Sequence, residues 1–226
     1  MSDLTLGEVD EDGAICEAVE RVVGGTRADF LRKATVCGAA LLGALALPPT
    51  GAAATAKDTD ILNYALTLEY LQASFYTEAE RVDSLRGKAR RAAEVVGAVE
   101  RAHVQALRAA LGSAAVARPA FNFRGVTENQ QRFLKTAVAF EDLAVAAYKG
   151  QAPRLDSDAL LAVAISIHSV EARHAAWMRY LFGIVPAADA FDEPLSRPKV
   201  TKIVASTGFI AAGEQTERKA KPRFTG

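Results

Sequence analysis

The chain contains only three histidines, and two of them close the same four-residue pattern. "VERAH" at 99–103 and "VEARH" at 170–174 each place a glutamate three residues before the imidazole, as Glu100 before His103 and Glu171 before His174. On an α-helix, residues i and i+3 share a face one turn apart, so each pair offers a carboxylate oxygen and a ring nitrogen in the same direction. That is how a helix presents two ligands to a metal ion. Two further glutamates, Glu69 in "YALTLEYLQA" and Glu141 in "AVAFEDLAVAA", stand where helical periodicity expects a core residue. A carboxylate in an apolar interior is strongly unfavourable unless something neutralises it. Two divalent cations do so by counting, because four glutamate charges cancel four metal charges and two neutral imidazoles complete the set. Glu69, Glu100, His103, Glu141, Glu171 and His174 are therefore the predicted ligands of a dinuclear metal site. The rival reading is a metal-free buried polar network, which requires a partner for every member.

Ligands that converge from four places need four elements to aim them, and the sequence signals four helices between Asp58 and Gly183. The first is expected over about 58–82, starting at Asp58 or Thr59, and the break "VDSLRGK" leads into a second over about 88–111 that stops at Gly112. A connection containing Pro and Phe, "SAAVARPAFNFRGV", follows. Thr127 is expected to open the third helix with Gln130 at the capping-box position, and Gly150 to end it. The fourth begins near Asp156–Asp158 and ends at Gly183, with Pro186 behind it. Short breaks imply antiparallel hairpins, and the longer stretch 113–126 can carry the chain across a bundle. Beyond 186 the expectation is irregular structure with one short helix near 199–212.

The two halves repeat. Glu69 and Glu141 are 72 residues apart, Glu100 and Glu171 are 71 apart, and so are His103 and His174, and Gly112 and Gly183. Tyr76 follows Glu69 by seven residues and Tyr148 follows Glu141 by seven. The fold class is thus all-α, a duplicated helical hairpin closing into a four-helix bundle. Composition agrees: 50% of residues are hydrophobic and only 7% aromatic, which favours packed helices over sheets. Lys plus Arg equals Asp plus Glu at 27 each, so no basic excess marks a nucleic-acid surface, and the basic end "TERKAKPRFTG" reads as a frayed terminus.

Residues near the predicted ligands carry plainer expectations. Packing is the reading for Tyr76 and Tyr148, with a redox or gating role as the alternative. His168 is read as a satisfied histidine, the alternatives being an outer donor or an extra ligand that its repeat counterpart Gly97 lacks. Asp142 is expected off the site axis, Arg173 toward solvent, and Trp177 and Met178 in the core.

Residues 1–56 read as a leader. Arg27, Arg32 and Lys33 precede an apolar run from Ala34 to Leu47, and Ala54-Thr55-Ala56 offers a small-x-small cleavage site. The run is too short for a stable membrane span. "TRADFLRK" resembles the twin-arginine export motif, with Ala28 at the place of the second arginine. The other reading is an amphipathic helix of the mature protein. The expected organisation is a leader over 1–56 with an acidic N-terminal extension, a bundle over 57–192 and a tail over 193–226. Cleavage near Ala56 removes Cys16 and Cys37, leaving no thiolate for a disulfide, a metal site or a rubredoxin-like module.

One Glu from each of two helices and Glu-x-x-His from each of the other two resembles the pattern of ferritin-like di-iron carboxylate proteins. With "P-x-F-x-F" at 119–123, "FEDLAVAAYKG" and "EARHAAWMRYLFG", the chain over about 58–192 resembles the exported ferritin-like family that includes desiccation-related proteins. The resemblance implies Glu69 and Glu141 as terminal carboxylates, Glu100 and Glu171 as bridging ones, and His103 and His174 as terminal nitrogens. Oxygen-rich ligation with two imidazoles suits iron or manganese. The implied partner is a small oxidant, dioxygen or hydrogen peroxide, in a ferroxidase-like or manganese catalase-like reaction that protects against stress. A non-enzymatic protein with a structural metal site is the alternative, and oligomerisation is left open.

Overall fold

The structure, a computed structural model, describes residues 54–211; most of the expected leader, with Cys16 and Cys37, and the end of the tail lie outside them. Helix α1 spans Ala56–Val82 and begins earlier than its sequence signal suggests. The Thr55 hydroxyl accepts from the Asp58 N–H at 3.0 Å, while the Asp58 carboxylate accepts from the Thr55 N–H at 3.3 Å. Asp58 is thus the far member of a capping box rather than the cap itself. The same buried carboxylate accepts the Asp156 N–H at 2.8 Å, tying the start of α1 to the turn before the fourth helix.

Helix α2 spans Gly87–Leu111, α3 spans Gln130–Gln151 and α4 spans Asp158–Phe182. The start of α3 corrects one expectation. Asn129, not Thr127, is the cap, accepting from the Arg132 N–H at 3.0 Å. Thr127 lies buried in a preceding turn, where its hydroxyl donates to Glu78 at 2.7 Å and its carbonyl accepts from Ser84 at 2.5 Å. Gln130 is spent elsewhere, accepting the Arg86 N–H at 2.9 Å. The end of α3 corrects another: the helix runs through Gly150. Glycine stands there because the Leu195 carbonyl packs where a Cβ would be. Gly183 does end α4 as expected, at φ +87°, a conformation that suits a residue without a side chain.

Helices α1 and α2 form one hairpin and α3 and α4 the other, and the hairpins join through α1–α3 and α2–α4 contacts. The crossover between them is held by residues 209–211, where Asn122 donates its N–H to the Phe209 carbonyl at 2.8 Å and Ala211 to the Ala120 carbonyl at 2.9 Å. A fifth helix, α5 at Arg197–Thr207, buries Val200 and Val204 in the common core. At the core's centre Phe75 stacks on Phe133, with ring centroids 5.1 Å apart, and meets Phe123 and Phe140 edge-on. No helix among the described residues is long and apolar enough to cross a membrane.

Candidate metal centre

Each hairpin contributes one glutamate from its first helix and a Glu-x-x-His pair from its second. Glu69 stands on α1, Glu100 and His103 on α2, Glu141 on α3, and Glu171 and His174 on α4. The bundle brings all six together. The four glutamates are fully buried, and the two imidazoles nearly so.

The carboxylates on α2 and α4 are shared between the histidines. His103 Nδ1 lies 3.0 Å from Glu171 Oε1, 3.6 Å from Glu100 Oε2 and 3.4 Å from Glu69 Oε2. His174 Nδ1 lies 2.9 Å from Glu100 Oε1, 3.6 Å from Glu141 Oε2 and 3.8 Å from Glu171 Oε2. The six residues therefore resolve into two overlapping groups, Glu69–Glu100–His103–Glu171 and Glu100–Glu141–Glu171–His174, each with ligand atoms within 4.8 Å of one another. Glu100 and Glu171 belong to both.

These close approaches are not aligned as hydrogen bonds. Both Nδ1 atoms, both oxygens of Glu100, both of Glu171 and Oε2 of Glu69 are buried with no hydrogen-bond partner. Buried polar atoms are ordinarily paired, because an orphaned one loses its hydration for nothing. Orphans this dense, all belonging to one cluster and all of metal-ligating type, fit a bound cation and not a self-sufficient polar network. The cluster is compatible with a metal site, and a metal-free network here would leave these atoms short of partners.

The outer oxygens are well held. Tyr76 on α1 donates its hydroxyl to Glu141 Oε1 on α3, and Tyr148 on α3 donates to Glu69 Oε1 on α1 at 2.6 Å. The tyrosines read as packing are thus donors from one hairpin to the other, each fixing the other half's glutamate. Burial raises both phenols well above their ordinary value, the carboxylate charges add to it, and both stay protonated donors. Sequence reasoning missed Gln72, whose Nε2 donates to Glu141 Oε2 at 3.2 Å. Its signal was its place three residues after Glu69, on the same helix face; the repeat hid it, because the counterpart is Ala144.

The metal-free electrostatics are frustrated. Burial, then the charges of Glu171 and Glu69, pushes Glu100 well above the usual carboxylate range, and burial pushes Glu141 up to about 7. Burial also acts on Glu171, but the two adjacent imidazoles outweigh it and hold that carboxyl below its usual range. For His103 and His174 burial favours the neutral ring, yet the surrounding carboxylates prevail and raise both well above the ordinary value.

The family comparison agrees with this geometry. A family model described as "Ferritin-like domain" matches residues 57–183, more than half of the chain. The chain belongs to the ferritin-like family. No curated protein matches it. The match covers the four bundle helices almost end to end, and with them every member of the buried carboxylate and histidine cluster, which is compatible with a metal site.

Other expected residues fall outside the ferritin-like cluster. Asp142 points away from it and accepts both Arg179 Nε and Nη2 at 2.8 Å, bracing α3 against α4. Arg173 is exposed and Met178 is fully buried, while Trp177 is only partly buried. His168 is half-buried with Nε2 unpartnered, and it joins neither ligand group. A cavity of about 740 Å³ between α3, α4 and residues 186–193 is lined by none of the six.

Proposed function

We propose that the bundle holds two metal ions, iron or manganese, bridged by Glu100 and Glu171, and that it is an exported oxidoreductase acting on dioxygen or hydrogen peroxide in stress protection. The observation that carries the reading is the division of the two central carboxylates, each offering one oxygen toward His103 and the other toward His174. Glu69 with His103 would complete one position and Glu141 with His174 the other. A reduced pair held there would supply two electrons, enough with two protons to take dioxygen to hydrogen peroxide or hydrogen peroxide to two waters. The residues supply the rest: four carboxylates balance the ions' charge, the tyrosine hydroxyls fix the terminal carboxylates, and the closed core excludes bulk water. The test is metal content of the full chain, purified from cells given iron and manganese, followed by dioxygen and peroxide consumption on that sample. Two redox metals per chain with turnover support the reading.

Complete burial of the four glutamates favours a second reading, a metal site that only locks the bundle. Two ions without turnover, or a preference for redox-inert zinc, would select it.

Loading should release protons, because ligands bind metal deprotonated and several here are held protonated in its absence. Their values are raised, so affinity should climb with pH and weaken steadily in acid. Calorimetric titration with Mn(II) in two buffers of different ionisation enthalpy reads the proton count; buffer-independent heats would contradict it.

Export implies a mature N-terminus, and the capping box makes its position matter. A cut after Ala56 discards Thr55, the cap of α1, at a cost of about 1 kcal/mol. A chain beginning at Lys57 should therefore unfold at lower urea than one beginning at Thr55; equal midpoints would mean that the box contributes little.

A further inference from the structure

The duplication provides an internal control for the surroundings of the two tyrosines. Around Tyr76 the space is filled by aromatic rings: Phe133 lies 5.8 Å from it, and Phe75 stacks on Phe133 and meets Phe140. The 72-residue repeat relates Tyr76 to Tyr148, Phe75 to Ala147, Phe133 to Ile61 and Phe140 to Leu68. All three phenyl rings are replaced by smaller side chains on the Tyr148 side. A cavity of about 20 Å³ lies there, lined by Ile61, Leu68, Ala147 and Tyr148 among others. Every lining residue is buried except Leu155, in the turn between α3 and α4, which marks the end toward solvent. The lining also includes Tyr148, whose hydroxyl is bonded to Glu69.

We infer that this cavity is a binding site for a small apolar molecule, dioxygen, beside the Glu69 end of the cluster. The inference rests on the metal reading above and chooses between its two oxidants. Size permits one small guest. The chemistry of the walls decides which. Tyr148 is committed to Glu69, Gln151 donates to the Gly150 carbonyl at 3.1 Å, and the Tyr64 hydroxyl is the one buried side-chain polar atom of the lining without a partner. A buried water needs two to four polar partners, and hydrogen peroxide, a donor and acceptor at both ends, needs as many. A nonpolar diatomic needs none. Tyr76 instead packs against the rings of Phe75 and Phe133, so the two tyrosines differ in the space beside them.

Xenon is the probe, because it occupies dry apolar cavities and reports on them without metal or turnover. Crystals of the full chain under xenon pressure should show the atom beside Ala147. Ala147→Val, and independently Ala164→Val on α4, should exclude it. With metals bound, both variants should raise the KM for dioxygen severalfold and leave peroxide consumption and metal stoichiometry unchanged. Two variants guard against overpacking, which the thermal midpoint would reveal. Absence of xenon from this position overturns the inference, as does a KM for dioxygen unmoved by variants that exclude xenon. A chain that binds xenon but holds no metal fails the metal reading, and dioxygen as occupant falls with it. One that holds two metals but no xenon fails the cavity alone.

Discussion

Glu171→Gln is expected to remove both metal ions at once, whereas Glu69→Gln should remove only one. The difference follows from placement, since all four glutamates are equally buried. Glu171 presents Oε1 to His103 at 3.0 Å and Oε2 toward His174 at 3.8 Å, so it belongs to both ligand groups. Glu69 belongs to one. Glutamine keeps the shape and deletes the charge, so the change reads ligation and not packing. Loss of an outer partner typically lowers metal affinity roughly 10–100-fold; loss of a shared ligand should exceed that at both positions. Glu100→Gln should match Glu171→Gln, and Glu141→Gln should mirror Glu69→Gln with the opposite ion retained. Metal content after gel filtration, with circular dichroism to confirm the fold, reads the outcome. Full stoichiometry in Glu171→Gln would show that the bridge is misplaced.

That expectation was legible in the sequence because the repeat and the i, i+3 spacing are local facts. Glu100 with His103 and Glu171 with His174 need only a helix to be aligned, and the apolar settings of Glu69 and Glu141 need only a core. Helix ends were less legible where tertiary contacts took over. Thr127 resembles a cap, yet its hydroxyl serves Glu78 on another helix, and Gly150 resembles a stop, yet it answers to Leu195. The tyrosines show the limit most clearly. Their spacing from Glu69 and Glu141 was visible, but each hydroxyl crosses to the other hairpin's glutamate, 65 or 79 residues away, which no single-helix argument reaches. Gln72 breaks the repeat and so carried no repeat signal at all.

The break in symmetry at Gln72 has a measurable consequence. Glu141 receives two donors, Tyr76 on Oε1 and Gln72 on Oε2, whereas Glu69 receives Tyr148 alone and keeps Oε2 unpartnered. Removing a phenol hydroxyl should therefore hurt the two ends unequally. In Tyr76→Phe, Glu141 loses one donor and remains anchored by Gln72. In Tyr148→Phe, Glu69 loses its only donor and is free to rotate within the core. Leaving a buried charged acceptor short of its hydrogen bond costs about 1–3 kcal/mol, and an outer partner of a metal ligand is worth roughly 10–100-fold in affinity. Tyr148→Phe should fall near the upper end of that range for one ion and leave the other nearly unchanged, while Tyr76→Phe should fall near the lower end. Removing Gln72 as well, in Tyr76→Phe with Gln72→Leu, should bring Glu141 to the same state as Glu69 in Tyr148→Phe. Stepwise Mn(II) titration by calorimetry resolves the two binding events. Equal losses in the two single variants would mean that Gln72 does not anchor Glu141, and that the two halves of the site behave alike despite their unequal donors.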